Sequence, residues 1–179
     1  MGIHEGNRPS LAAALSGVHC EYARLGVDDA ARATGDDGWA ASHVQALADD
    51  WAERELPPAE APYFTIGLTW GGLHGLLREH GGLAVDVVQG GEPLGVPGAI
   101  GTARLLPSDD VATAAAFLTG TPFHELAPLY AAAVCDGCPD PTEHPPEERL
   151  DALADAYEGL GRFFTAAADA GDAVVLMLN

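Results

Sequence analysis

The last third of the chain constrains the fold most tightly. From Glu147 to Ala170, Leu150, Leu153, Tyr157, Leu160 and Phe164 recur at alternating spacings of three and four, the signature of one long amphipathic helix. Gly171 ends that pattern. The next residues, Ala173–Leu178 (AVVLML), form an unbroken apolar run of strand length, as expected for a strand buried on both faces. A chain of 179 residues suits one compact domain.

Upstream segments fit that frame. Val18–Leu25 alternates, with Val18, Cys20 and Tyr22 on one face of a strand. Asp28 and Asp29 open a short helix, where carboxylates favour the positive end of the helix dipole. Asp37 to Glu55 reads as a helix with Ala40, His43, Leu47 and Trp51 on its stripe, ended by the prolines of LPPAEAP (56–62). Residues 63–68 read as extended or as the start of a helix. Trp70, Leu73, His74 and Leu77 share a helical face, and Gly81 and Gly82 stop it. Leu83–Val88 is a strand expectation, and 90–101 is turn-rich. Ser108 is the expected N-cap of a helix with Val111, Ala114, Ala115 and Leu118 buried, ending at Gly120. A further helix is expected from Pro122 to about Val134, followed by a Pro/Gly-rich loop. Residues 1–16 read as an N-terminal extension and 17–179 as the domain.

Charge narrows the function classes. The 179 residues carry 27 acidic and 8 basic side chains, a net charge of −19, and every basic residue is arginine. The lack of lysine removes Schiff-base chemistry and a Walker lysine. Such an acidic chain lacks the basic footprint that nucleic acid or an anionic membrane requires. A basic protein partner or a cationic ligand suits it. No apolar run approaches the roughly 20 residues of a membrane span, and the N-terminus lacks a signal-peptide pattern. Three cysteines make no disulfide framework, so the expectation is a cytoplasmic, reduced protein.

Four segments in order resemble the YfbM-like family: GVHCEYARLGVDDAARA (17–33), WGGLHGLL (70–77), GGEPLG (90–95) with IGTARLLPSDDV (100–111), and FFTAAADAGDAVVLMLN (163–179). The resemblance covers about 18–179. It implies an α+β fold, a single compact domain with a mixed, mostly antiparallel sheet packed with several helices, and no agreed chemistry. Family members often carry Asp-Lys before the tryptophan and His after it, whereas this chain has Gly67, Leu68 and Gly71.

Among single residues, Trp70 and His74 lie four apart on one helical face and can flank one pocket, His74 as base or orienting group. The competing structural reading is a core histidine bonded to backbone. Arg104 follows a glycine-rich turn and could clamp a carboxylate or phosphate, or else form an internal ion pair. Tyr22 and His19 are added as candidate pocket residues. Cys135 and Cys138 have C-x-x-C spacing, with His144 and His124 nearby. No second recognisable ligand pair completes a zinc site, and ordinary loop thiols are the simpler reading. Pro128 rules out an H-E-x-x-H helix at His124, and no G-x-S-x-G elbow exists. No cofactor is implied. The composition favours a non-catalytic binding or regulatory protein, for instance of immunity type, for a basic protein partner. The alternative is an accessory enzyme or small-molecule binder of a biosynthetic pathway, with a pocket around Trp70, His74 and Arg104.

Overall fold

The computed structural model describes residues 17–95, 103–133 and 146–179. The expected extension 1–16 and the Cys135, Cys138 and His144 group fall outside the described residues. Strand β1 spans Cys20–Leu25 and leads through Gly26 into helices α1 (Val27–Gly35) and α2 (Asp37–Arg54). Strand β2 (Tyr63–Gly67) precedes helix α3 (Trp70–His80). Two very short strands follow, β3 (Glu92–Pro93) and β4 (Arg104–Leu106), then helix α4 (Ser108–Gly120). The short helices α5 (Phe123–Leu126) and α6 (Tyr130–Ala133) flank a single 3₁₀ turn, Ala127–Leu129. Helix α7 (Pro146–Ala170) and strand β5 (Ala173–Leu178) close the chain. Among the described residues, no helix is long and apolar enough to cross a membrane.

The sheet order is β2-β1-β5-β4-β3, and every pairing is antiparallel. The C-terminal strand is thus central, pairing with β1 from Cys20↔Leu178 to Leu25↔Ala173 and with β4 from Arg104↔Leu176 to Leu106↔Val174. Its position explains the unbroken apolar run, because side chains alternate between two buried faces. On one face Cys20, Tyr22, Ile66, Leu106, Val174 and Leu176 join the apolar stripes of α3, α4 and α7. On the other, Ala23, Leu25, Tyr63, Val175 and Met177 pack against Ala33, Ala40 and Val44 of α1 and α2.

The expected stripes of α4 and α7 are buried as read, except that Leu150 is only half-buried. Along α2 the deepest residues are Ala40 and Val44, while His43, Leu47 and Trp51 are half-buried. His43 instead stacks on Trp39, with ring centroids 4.6 Å apart.

Three local expectations need correction. Ser108 is the first helical residue of α4 rather than its N-cap; Pro107 holds that position in extended backbone, and no side chain caps the helix. Asp109 and Asp110 still oppose the dipole from the first turn. The helix expected from Pro122 breaks into α5, the 3₁₀ turn and α6, with Pro128 in the turn. Proline has no N–H to continue the ladder. Finally, Leu83–Val88 forms no strand but an irregular bend that runs into a turn at 87–89, and both Val87 and Val88 are fully buried against the same core. A strand would have sent these neighbours to opposite faces.

Candidate functional site

Three of the residues singled out from sequence, Tyr22, His74 and Arg104, meet around one loop, 83–91, laid on the sheet face that α3 covers. Alternation explains why. Tyr22 of β1 and Arg104 of β4 share the parity of Cys20 and Leu106, so both point to that face. Tyr22 is fully buried and its hydroxyl donates to the Val87 carbonyl at 2.9 Å. Arg104 donates from Nε to the Gly90 carbonyl and from Nη2 to the Gly91 carbonyl, both at 2.8 Å. The guanidinium fork thus ties down two successive carbonyls, a geometry lysine cannot reproduce. His74 Nε2 lies 3.0 Å from Asp86 Oδ2.

Asp86 is the hub of the loop, and sequence reasoning passed over it. Its Oδ1 accepts the backbone N–H groups of Val88 and Gln89, each at 2.9 Å, and its carbonyl accepts from Gly90 N–H. This is the Asx-turn habit of aspartate. The Asp-x-x-x-Gly-Gly order in DVVQGG was the available signal, masked by the apolar residues around it. The glycines are required there. A Cβ on Gly90 would collide with the Asp86 carbonyl oxygen, and one on Gly91 would sit 2.6 Å from the Leu105 carbonyl oxygen, at a φ of +82°.

Partial burial pushes the Asp86 carboxyl pKa upward, but the His74 hydrogen bond and the two amides outweigh it and lower it from 3.8 to about 2. An ionised carboxylate only accepts, so His74 Nε2 carries the proton of their bond. A carboxyl held below its ordinary value stabilises the fold above that value. That contribution is expected to fade as pH falls from about 4 through about 2. Acid titration followed by tryptophan fluorescence should show the acid limb shifting upward in D86N and its slope decreasing. An unchanged acid limb in D86N would remove Asp86 from the acid-sensitive set.

Trp70 and His19 have other tasks. The Trp70 indole is buried and donates to the Val18 carbonyl at 2.8 Å, pinning the chain just before β1. His19 is exposed, and its backbone N–H and carbonyl pair with Asn179. The Cys20 thiol donates to the Tyr22 hydroxyl at 3.2 Å, and burial pushes it up to about 12, which leaves it unreactive. Burial likewise raises the Tyr22 hydroxyl well above its ordinary value.

A shallow groove of about 240 Å³ opens beside the loop, lined by His74, Leu77, Arg78, Gly81, Leu83 and Asp86. It takes in His74 and leaves out Trp70, Arg104, Tyr22 and His19. Among the described residues, no group of three or more His, Cys, Asp or Glu side chains is placed to hold a metal ion.

The five-stranded antiparallel sheet with helices on both faces, and a loop clamped from β1, α3 and β4, define an α+β domain built around one pinned loop. The chain belongs to the family described as "Domain of unknown function (DUF1877)", whose family model matches residues 17–177. That is the YfbM-like family, and the quoted segments that carry the resemblance include the Trp70–His74 helix, the Gly90–Gly91 turn and Arg104. No curated protein and no solved structure matches the chain significantly.

Proposed function

We propose that this domain is a non-catalytic regulatory module that binds a basic protein surface, as an immunity-type protein does. The reading rests on one observation: the large acidic excess is displayed outward. On the open side of α2, Asp49, Asp50 and Glu53 are exposed, and exposed Glu55 and Glu60 follow just beyond its end. Arg54 offsets only Asp50, through an i,i+4 pair at 3.1 Å, and such exposed pairs contribute little. The Tyr22 hydroxyl, the Trp70 indole N–H and Nε and Nη2 of Arg104 all donate to backbone carbonyls, which favours a structural role for this cluster over a catalytic one.

The test is affinity capture from the native host at low ionic strength and again at about 1 M salt, where the screening length falls to about 3 Å. A basic protein should be retained only at low salt. The D49N/D50N/E53Q variant should weaken its retention roughly tenfold. Recovery of no partner at low salt, or of one indifferent to both salt and the variant, would contradict the proposal.

A further inference from the structure

We propose that the groove between the C-terminal half of α3 and residues 83–86 binds a free α-amino acid with an apolar side chain. Arg78 would hold its carboxylate, Asp86 its ammonium group, and Leu77 and Leu83 its side chain. This site is independent of the acidic surface proposed above.

The first support is Arg78. In a chain with 27 acidic residues, arginines find partners readily. Arg24 pairs with Asp172, Arg54 with Asp50 and Arg162 with Glu158. Arg104 holds carbonyls, while Arg32 and Arg149 lie over the rings of Trp39 and Tyr130. Arg78 has no such partner among the described residues, although it lines the groove. Its place in the last turn of α3 suits the negative helix end, but that leaves the five guanidinium N–H donors unused.

The second support is the opposite charge in the same groove. Asp86 does not pair with Arg78. A carboxylate offers about four acceptor sites. Oδ1 receives two backbone N–H groups, and Oδ2 receives only His74. One site on Oδ2 stays open, and the side chain is 39% exposed. His74 fixes the carboxylate from the other side, so the acceptor is held in place before any ligand arrives.

The third support is shape and lining. Leu77 and Leu83 give the groove an apolar lining alongside its two charged side chains. At about 240 Å³ the groove lies below the roughly 300 Å³ at which drug-sized sites begin. A ligand with both charges on one carbon and a short apolar side chain matches all three features. A carboxylate alone would leave Asp86 unanswered, and an amine alone would leave Arg78 unanswered.

Two-dimensional amide NMR with L-leucine as the probe tests this directly. Saturable shifts are expected at His74, Arg78, Leu83 and Asp86. 3-Methylbutanoate and 3-methylbutylamine, each carrying one of the two charges, should bind at least about tenfold more weakly, and glycine should lose the contribution of the apolar wall. R78Q, at an exposed position, should keep the melting temperature and lose roughly tenfold in leucine affinity. D86N should lose a similar factor. The absence of saturable shifts with leucine, equal binding of the single-charge probes, or unchanged affinity in R78Q would each overturn the proposal.

Discussion

Replacing Arg104 with alanine is expected to lower the unfolding free energy by about 3 kcal/mol, measured by urea denaturation at neutral pH. The side chain makes two charge-assisted hydrogen bonds, to the Gly90 and Gly91 carbonyls. Each is stronger than a neutral bond, and its removal strands an acceptor within a packed loop. Arg104→Lys separates charge from geometry. An ammonium can satisfy one carbonyl but lacks the planar fork for both, so R104K should recover only part of the loss. The effect should also spread along the loop. Tyr22, His74 and Arg104 hold it at Val87, Asp86 and Gly90–Gly91. Hydrogen exchange in R104A should therefore accelerate at Val88 to Gly91 before it does so in β1 or β5. A loss below about 0.5 kcal/mol, within the range of ordinary surface substitutions, would show that water replaces the arginine at no cost.

The second large effect is expected within the same core. Phe163 is fully buried. Its ring lies 6.2 Å from Tyr22, 5.8 Å from Phe64 and 6.1 Å from Phe164, centroid to centroid. Phe163→Ala should cost about 4 kcal/mol, from lost transfer free energy and the cavity left behind. The three surrounding rings come from β1, β2 and α7, so little of that space can close by local collapse. Phe163→Leu keeps most of the apolar volume and should cost under about 1.5 kcal/mol. Thermal and urea unfolding both read the difference. Equal costs for F163A and F163L would mean that ring geometry, and not filled volume, supports this junction.

The secondary structure was readable wherever burial imposes a period. The α4 stripe of Val111, Ala114, Ala115 and Leu118 is all buried, and Val18, Cys20 and Tyr22 do share a face. Reading failed where no period can form. Strands β3 and β4 have two and three residues, too few to alternate legibly. Their existence depends on β5 offering an edge and on the loop being held beside it. The run Leu83–Val88 misled for a related reason. Consecutive apolar residues suit a doubly buried strand, but they also suit a turn that drives both valines into one core.

The candidate site was legible in part. Trp70, His74, Arg104, Tyr22 and His19 were selected for residue type and position, and three of the five, Tyr22, His74 and Arg104, converge on one loop. What they do there could not be read from type alone. An arginine near a glycine turn serves a ligand as well as it serves two carbonyls. Asp86 and Arg78 went unnoticed, because each is an ordinary charged residue until the fold sets it beside His74.

The C-terminal helix and strand are where local sequence and final structure agree most fully. The spacing of α7 and the unbroken apolar run of β5 determined an amphipathic helix followed by a strand covered on both faces. Side-chain burial must follow the 3.6 and 2 residue periods of the backbone. The sequence by itself also determined a strongly acidic surface, since its 27 carboxylates far outnumber the cations available to pair with them. Only the tertiary structure decided that β5 is central, with β1 on one side and β4 on the other. It also decided that Tyr22, His74 and Arg104 close on the 86–91 loop. These are contacts between residues 12 to 65 positions apart. No local pattern encodes them; they arise because the sheet aims two side chains at the face where α3 and the loop are packed.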